Sequence, residues 1–137
     1  MGNKGYLRPV SKNDMKLLFD WRNDEDCRNN SFSSKPIEWE EHKNWFMAML
    51  ANPNQKAFIL VVDGNSVGQI RLVKCGEKAE ISYSIATHER GKGYGKLILS
   101  LAENEIAVAE LIGQVKSNNL ASQKSFEALG YEKQEII

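Results

Sequence analysis

The sequence predicts a mixed α/β fold (α+β in its segregation of strands), with an antiparallel meander that runs into a glycine-rich loop and then a helix. Three observations predict it. Ala57–Val62 (AFILVV) is a continuous apolar run of the kind a central strand needs, and the Asp63-Gly64 behind it is a strong hairpin dipeptide, so Ser66–Lys74 should return antiparallel. Ile81, Tyr83 and Ile85 alternate with Glu80, Ser82, Ser84 and Ala86, the pattern of a half-buried strand. Leu97, Ile98, Leu101, Ala102, Ile106 and Ala109 then recur at helical spacing and give a helix ending near Glu110. A chain of 137 residues is most simply one domain, 1–137, with a single core.

Each remaining element follows in order. Gly5–Val10 is a short opening strand, with Pro9 at its end or on an unpaired edge. Ser11-Lys12-Asn13-Asp14 has the spacing of a capping box and starts a helix carrying Met15, Leu18, Phe19 and Arg22 on one side, which Trp21-Arg22-Asn23-Asp24 closes. Asn23–Lys35 is polar and rich in Asn and Ser, a mobile loop with Phe32 as its one large apolar residue. Glu38–Leu50 is a second helix, with Trp39, His42, Trp45, Phe46, Met49 and Leu50 at steps of three and four. Its two tryptophans either fill the core or wall an acceptor pocket. Cys75–Lys78 turns between strands; Leu111–Lys116 is a further strand, parallel to its predecessor across the intervening helix. Asn119 caps a last helix with Ala121, Phe126 and Leu129, Gly130 stops it, and Tyr131 begins a final strand.

The chemistry concentrates in Arg90-Gly91-Lys92-Gly93-Tyr94-Gly95-Lys96. Three glycines let the backbone turn with its N–H groups inward, and the next helix adds its partly positive end. Arg90, Lys92 and Lys96 bring positive charge to the same place, which suits a diphosphate. From these residues alone a basic surface turn is the other reading. The spacing is neither G-x-x-x-x-G-K-[ST] nor G-x-G-x-x-G.

Composition narrows the rest. Eighteen basic residues balance eighteen acidic ones, so no overall field favours nucleic acid or an anionic membrane. Cys27 and Cys75 are far apart, and neither a long apolar run nor a signal-type N-terminus is present, so a soluble cytoplasmic protein with reduced thiols is expected. His42 and His88 have no Cys or His at ligand spacing, and no metal is expected.

A strand leading to R-x-x-G-x-G and a helix resembles the acetyl-coenzyme A (acetyl-CoA) site of the GNAT acetyltransferase superfamily, with Arg90, Gly93 and Gly95 at the motif positions. Asn119-Leu120-Ala121-Ser122-Gln123-Lys124-Ser125-Phe126-Glu127-Ala128-Leu129-Gly130-Tyr131 is similar to a second segment of that superfamily, N-x-x-S-x-x-x-[YF]-E-x-x-G-[FY]. The resemblance implies the GNAT fold, a mixed central sheet with an antiparallel meander and flanking helices. Members usually continue after Gly-Tyr with a pair of strands, so here the C-terminal strand pair is expected to be shortened, with the last strand lost or supplied by a partner. An exposed edge of that kind makes a homodimer a candidate assembly.

The resemblance also implies roles. Acetyl-CoA is the expected co-substrate, held by the backbone of Ile85, Ala86 and Thr87, by Arg90, Gly91, Lys92, Gly93, Tyr94, Gly95 and Lys96, and by Asn119, Ser122 and Phe126. Direct attack of an amine on the thioester is the expected route. Glu80 is the first candidate base, the other reading being a strand-end ion pair; His42, with an imidazole suited to the task, is the second. Many relatives carry a tyrosine where this chain has Phe126, so Ser122, Tyr94, Tyr83 or water would protonate the thiolate, or no acid is needed.

The run Trp21-Arg22-Asn23-Asp24, Arg28, Pro36-Ile37, Glu40-Glu41-His42 and Trp45-Phe46 is similar to a branch that acetylates nucleotide-linked amino sugars, with ribosomal-protein and antibiotic acetyltransferases sharing only the looser W-R-N-D part. Arg22, Asn23, Trp39 and His42 are the candidate acceptor contacts; Arg22 and Arg28 either meet a diphosphate or sit in surface ion pairs. Three functions follow as rivals: an N-acetyltransferase for an amino-sugar nucleotide, one for a protein or peptide amine, and an idle acyl-CoA-binding module.

Overall fold

A computed structural model of the chain describes residues 5–24, 35–106, 110–113 and 119–131. Strand β1 (Gly5–Pro9) leads through a 3-10 turn (Lys12–Asp14) into α1 (Met15–Asn23), and α2 (Trp39–Ala51) follows. Strands β2 (Gln55–Val62), β3 (Asn65–Cys75) and β4 (Lys78–Ile85) come next, then a second 3-10 turn (Thr87–Glu89) and α3 (Tyr94–Ala102). The described chain closes with β5 (Glu110–Gly113) and α4 (Leu120–Ala128).

The strands form one sheet in sequence order, β1 to β5. Each of the first four runs antiparallel to its neighbour, and β5 is parallel to β4. This is the mixed sheet with an antiparallel meander that the sequence predicts. Asp63 and Gly64 turn the β2–β3 hairpin with φ of 51° and 83°, the backbone of a type I′ turn.

Strand alternation decides what covers each face. Phe58, Leu60 and Val62 of β2 pack with Ile70, Leu72, Ile81, Ile98, Leu99 and Phe126, so α3 and α4 lie on one face. Ile59 and Val61, pointing the other way, pack with Leu18, Phe46 and Met49, so α1 and α2 lie on the opposite face. Full burial of side chains such as Leu18 and Phe46 contributes about 1.5–3 kcal/mol each. The capping box starts the 3-10 turn that feeds α1: Ser11 N–H donates to Asp14 Oδ2 at 2.9 Å. Arg8 donates to both oxygens of the same carboxylate, at 2.9 and 2.8 Å, and ties β1 to the start of α1. That guanidinium, with the Ser11 amide, holds the Asp14 carboxyl below its usual range.

One helix is shorter than its apolar stripe. The chain leaves α3 at Ala102, not near Glu110, through turns in which Asn104 and Glu105 donate back to Leu101 O and Ala102 O. Glu103-Asn104-Glu105 explains this, because carboxylates at a helix C-terminus oppose its dipole and offer no apolar face. Ile106 still packs on the core, whereas Ala109 lies outside the described residues. Also outside them are most of the Asn23–Lys35 loop with Cys27, Arg28 and Phe32, the end of the Leu111–Lys116 strand, and the final strand expected beyond Tyr131. Among the described residues no helix is long and apolar enough to cross a membrane.

Candidate active site

Strand β4 is paired differently along its two sides. On the β3 side it is engaged throughout, from Cys75 opposite Lys78 to Gly68 opposite Ile85, and Ala86 N–H extends the ladder with a 2.9 Å bond to Val67 O. On the β5 side the register runs from Lys78 to Ile81, opposite Glu110 to Gly113. Among the described residues, 82–85 have no strand partner there. Successive residues of a strand direct their backbone groups to opposite sides, so the N–H and C=O of Tyr83 and Ile85 face this open side. Arg90 occupies part of it: its Nε donates to Ile85 O at 3.2 Å.

The loop after β4 is made of backbone. Gly91 and Gly93 have φ of 80° and 82°, a left-handed conformation that side chains strain, and a Cβ at either would meet nothing within 4 Å. Gly93 caps α3 and its C=O accepts from Leu97 N–H. No acceptor for the N–H groups of residues 91–96 stands among the described residues. Those amides and the positive end of α3 form a site an anion would fit. Arg90, Lys92 and Lys96 are exposed around it, with Lys92 Nζ held 2.8 Å from Glu89 Oε2. Gly95 is required for a different reason. A Cβ there would come 2.8 Å from Ser125 Oγ and 3.2 Å from the Tyr83 hydroxyl oxygen, so β4 and α4 both press on the first turn of α3.

The α4 segment borders this loop. Asn119 caps it, Oδ1 accepting from Ser122 N–H at 3.2 Å, which leaves the Asn119 amide NH2 available as a donor. The helix ends in a Schellman motif, with Tyr131 N–H donating to Phe126 O and Gly130 N–H to Glu127 O. Phe126 is buried, stacked edge-on with Tyr83 and Tyr131, and its ring tip lies against Gly113, where a Cβ would collide with it. Tyr94 is also buried in the core, whereas the Tyr83 hydroxyl stands near Gly95.

On the face of β4 turned to α1 and α2, register places Glu80, Ser82 and Ser84 opposite Val73, Arg71 and Gln69 of β3. Gln69 Nε2 donates to Ser84 Oγ at 3.0 Å, and Arg71 Nη2 to Ser82 Oγ at 3.3 Å. Trp45 completes the face: the Arg22 guanidinium lies 4.0 Å from its ring centre and that of Arg71 4.9 Å. The end of α1 joins the end of β4 where Thr87 Oγ1 donates to Asp24 Oδ1 at 2.6 Å.

The predicted acceptor contacts separate here. Arg22 belongs to this face, but Asn23 spends its side-chain amide as a clamp on Ile37, donating to its C=O at 2.9 Å and accepting from its N–H at 2.6 Å. Trp39 meets Phe19 edge-on at 5.0 Å; Trp45 is the tryptophan beside the arginines. His42 is fully buried. Its Nε2 lies 2.7 Å from Met15 O, which only accepts, and its Nδ1 lies 3.0 Å from Arg22 Nη1, which only donates. The ring is therefore neutral with the proton on Nε2, and burial, with Arg22 beside Nδ1, pushes its pKa below the usual imidazole value. Such a ring has no lone pair open to an acceptor amine, which corrects its assignment as second base and as a substrate contact. Glu80 is exposed on β4. Sequence reading missed Gln69 and Arg71; two polar side chains two apart in an otherwise apolar strand were the signal available. An open groove of about 390 Å³ lined by Pro9, Met49, Leu50 and Phe58, among others, contains none of these residues.

The acetyltransferase (GNAT) domain family matches residues 6–132. An uncharacterized protein of Methanocaldococcus jannaschii is 28% identical over 96% of this chain, which spans only 28% of that relative's length. The crystal structure of a domain from the same organism superposes with a TM-score of 0.87 at 26% identity, covering 98% of this chain and 92% of that one. Spermidine N-acetyltransferase from Vibrio cholerae, solved with CoA and spermine, also gives 0.87, at 17% identity over 96% and 83% of the two chains. An aminoglycoside acetyltransferase solved with coenzyme A gives 0.82 at 17% identity, over 96% and 86%. These last two likenesses speak to the fold, while the family match extends over nearly the whole sequence, and this chain belongs to the GNAT acetyltransferase domain family.

Proposed function

We propose that this protein is an N-acetyltransferase that moves the acetyl group of acetyl-CoA to the primary amine of a nucleotide-linked amino sugar, with residues 1–137 acting as one catalytic domain. The bare amides of residues 91–96, with Arg90, Lys92 and Lys96 around them, fit the substrate's diphosphate. The open side of β4 at Tyr83 and Ile85 fits its amide-bearing arm, taken up as an added strand would be. Bound there, the thioester meets the amine at the C-terminal end of β4. Among the backbone groups expected to contact it, those of Ile85 face the open side, whereas Ala86 N–H is engaged by Val67 O and Thr87 O by Arg90 N–H.

Glu80 is the base in this reading, exposed on the acceptor face and reached through intervening groups. Phe126 cannot protonate the thiolate, and a thiol of pKa about 8.5 leaves without much help. The Tyr83 hydroxyl, next to Gly95, is better placed than buried Tyr94 if a donor is needed.

The observation that carries the choice of acceptor is Trp45 with Arg22 and Arg71 over its ring. The named substrates of the two acetyltransferase neighbours, spermidine and aminoglycosides, are amines. An indole with guanidiniums stacked on it suits the base and phosphates of a nucleotide. The test is thiol release from acetyl-CoA with a panel of amino-sugar nucleotides, polyamines, aminoglycosides and short peptides. Turnover with an amino-sugar nucleotide at the highest kcat/KM is expected; a preference for polyamine or peptide would overturn the acceptor assignment. A homodimer belongs to the same proposal, and sedimentation at micromolar concentration as a monomer would remove it.

A further inference from the structure

Ser84 and Ser82 share an arrangement that ordinary surface serines lack. Each lies opposite a β3 residue whose touching atom can only donate: Gln69 Nε2 at 3.0 Å and Arg71 Nη2 at 3.3 Å. Gln69 is 8% exposed, so its amide is fixed by its surroundings. A hydroxyl carries one proton and two lone pairs. With one lone pair filled by β3, each serine retains one acceptor position and one proton to give.

That inventory is what a link in a one-way proton chain requires. Alternate residues of a strand are about 6.6 Å apart, a gap that two waters span with three hydrogen bonds of about 2.8 Å. Glu80 lies further along the same face, and an ionised carboxylate accepts only, so it ends the chain. At the other end Ser84 directly precedes Ile85, whose backbone faces the open side of β4.

Building on the acetyl-transfer reading, we propose that Ser84 Oγ receives the proton leaving the acceptor amine and that Ser82 and bridging waters pass it to Glu80, with Gln69 as the residue that positions Ser84. In the step served, the amine nitrogen bonds to the acetyl carbon and the carbon–sulfur bond breaks. The electron pair of that bond leaves on sulfur, which takes a proton from solvent. The proton lost by nitrogen goes to Ser84 as Ser84 gives its own to the next link, and Glu80 ends protonated and later returns the proton to solvent. Charge and atoms balance without a further reactant.

The experiment measures kcat, the acceptor KM and the solvent-isotope dependence of kcat for wild type, Ser84→Ala, Ser84→Thr, Ser82→Ala and Gln69→Leu, with the acetyl-CoA Kd of each from calorimetry. Ser84→Ala should lower kcat about 100-fold, at the lower end of the range for lost proton transfer, while KM and Kd stay within about twofold. Ser84→Thr should recover most of the rate, and the dependence of kcat on deuterium content, expected to be curved for wild type, should become linear in Ser84→Ala. Gln69→Leu should fall between. Wild-type turnover with Ser84→Ala unimpaired, or a Ser84→Ala loss confined to KM, would overturn the relay alone. A wild type that acetylates no amine would overturn the enzymatic reading and the relay with it.

Discussion

The loop behind β4 and the face in front of it are built from different materials. The loop uses main chain: left-handed glycines at 91 and 93, bare amides through residue 96 and one helix end. The face uses side chains drawn from α1, α2, β3 and β4, with Arg22, Trp45, Arg71, Gln69 and Ser84 meeting only after folding. A backbone site tolerates little change, whereas a side-chain site can be rewritten position by position; under the proposed function the loop would keep its one donor while the face changes its acceptor.

The sharpest way to break this contrast is at Gly93. Gly93→Val forces a β-branched residue to φ of 82° and should weaken acetyl-CoA binding by more than 100-fold in calorimetry, with acceptor selectivity among residual turnover unchanged. A Kd within threefold of wild type would mean the loop is not the anion site. Next in size, Trp45→Ala should raise the acceptor KM about 30-fold and leave the acetyl-CoA Kd within twofold, since a stacked ring contributes about 1–3 kcal/mol. Equal losses for both ligands would erase the division between the two regions.

His42 sharpens the comparison through stability. Its folded-state pKa is lowered, so its contribution is complete above the ordinary value near 6.5 and is lost as pH falls below that through the lowered value. The thermal midpoint should hold from pH 8 to 7 and decline from about pH 6.5 downward. His42→Ala should cost about 2–3 kcal/mol at pH 7.5 and flatten that decline. Loss of the Asp14 contribution is expected in a lower window, below its ordinary value near 3.8, so the two can be separated in one titration. The smallest effect is expected for Phe126→Tyr. The ring tip already lies against Gly113, so the added hydroxyl should cost about 1 kcal/mol of stability and raise turnover about threefold. Identical turnover across pH would show that thiolate protonation is not limiting.

The same contrast explains what could be read from the sequence. The sheet and helices were legible because alternation and helical spacing are local properties, as at Ile81, Tyr83 and Ile85. The loop was legible because its chemistry lies in seven consecutive residues. Strand register is a long-range property, so nothing local joined Gln69 to Ser84 or Arg71 to Trp45. His42 misled for a related reason: an imidazole with a suitable pKa says nothing of whether it faces solvent or a carbonyl such as Met15 O. The end of α3 was missed because Ile106 continues the apolar stripe after the helix has stopped, a case of packing outlasting backbone geometry.

The clamp of Asn23 on Ile37 brings the two feet of the intervening segment to one point, like the neck of a bag. The last turn of α1 is thereby tied to the chain entering α2, so a substitution at Asn23 would loosen the pairing of these two helices while leaving the strands of the sheet as they are.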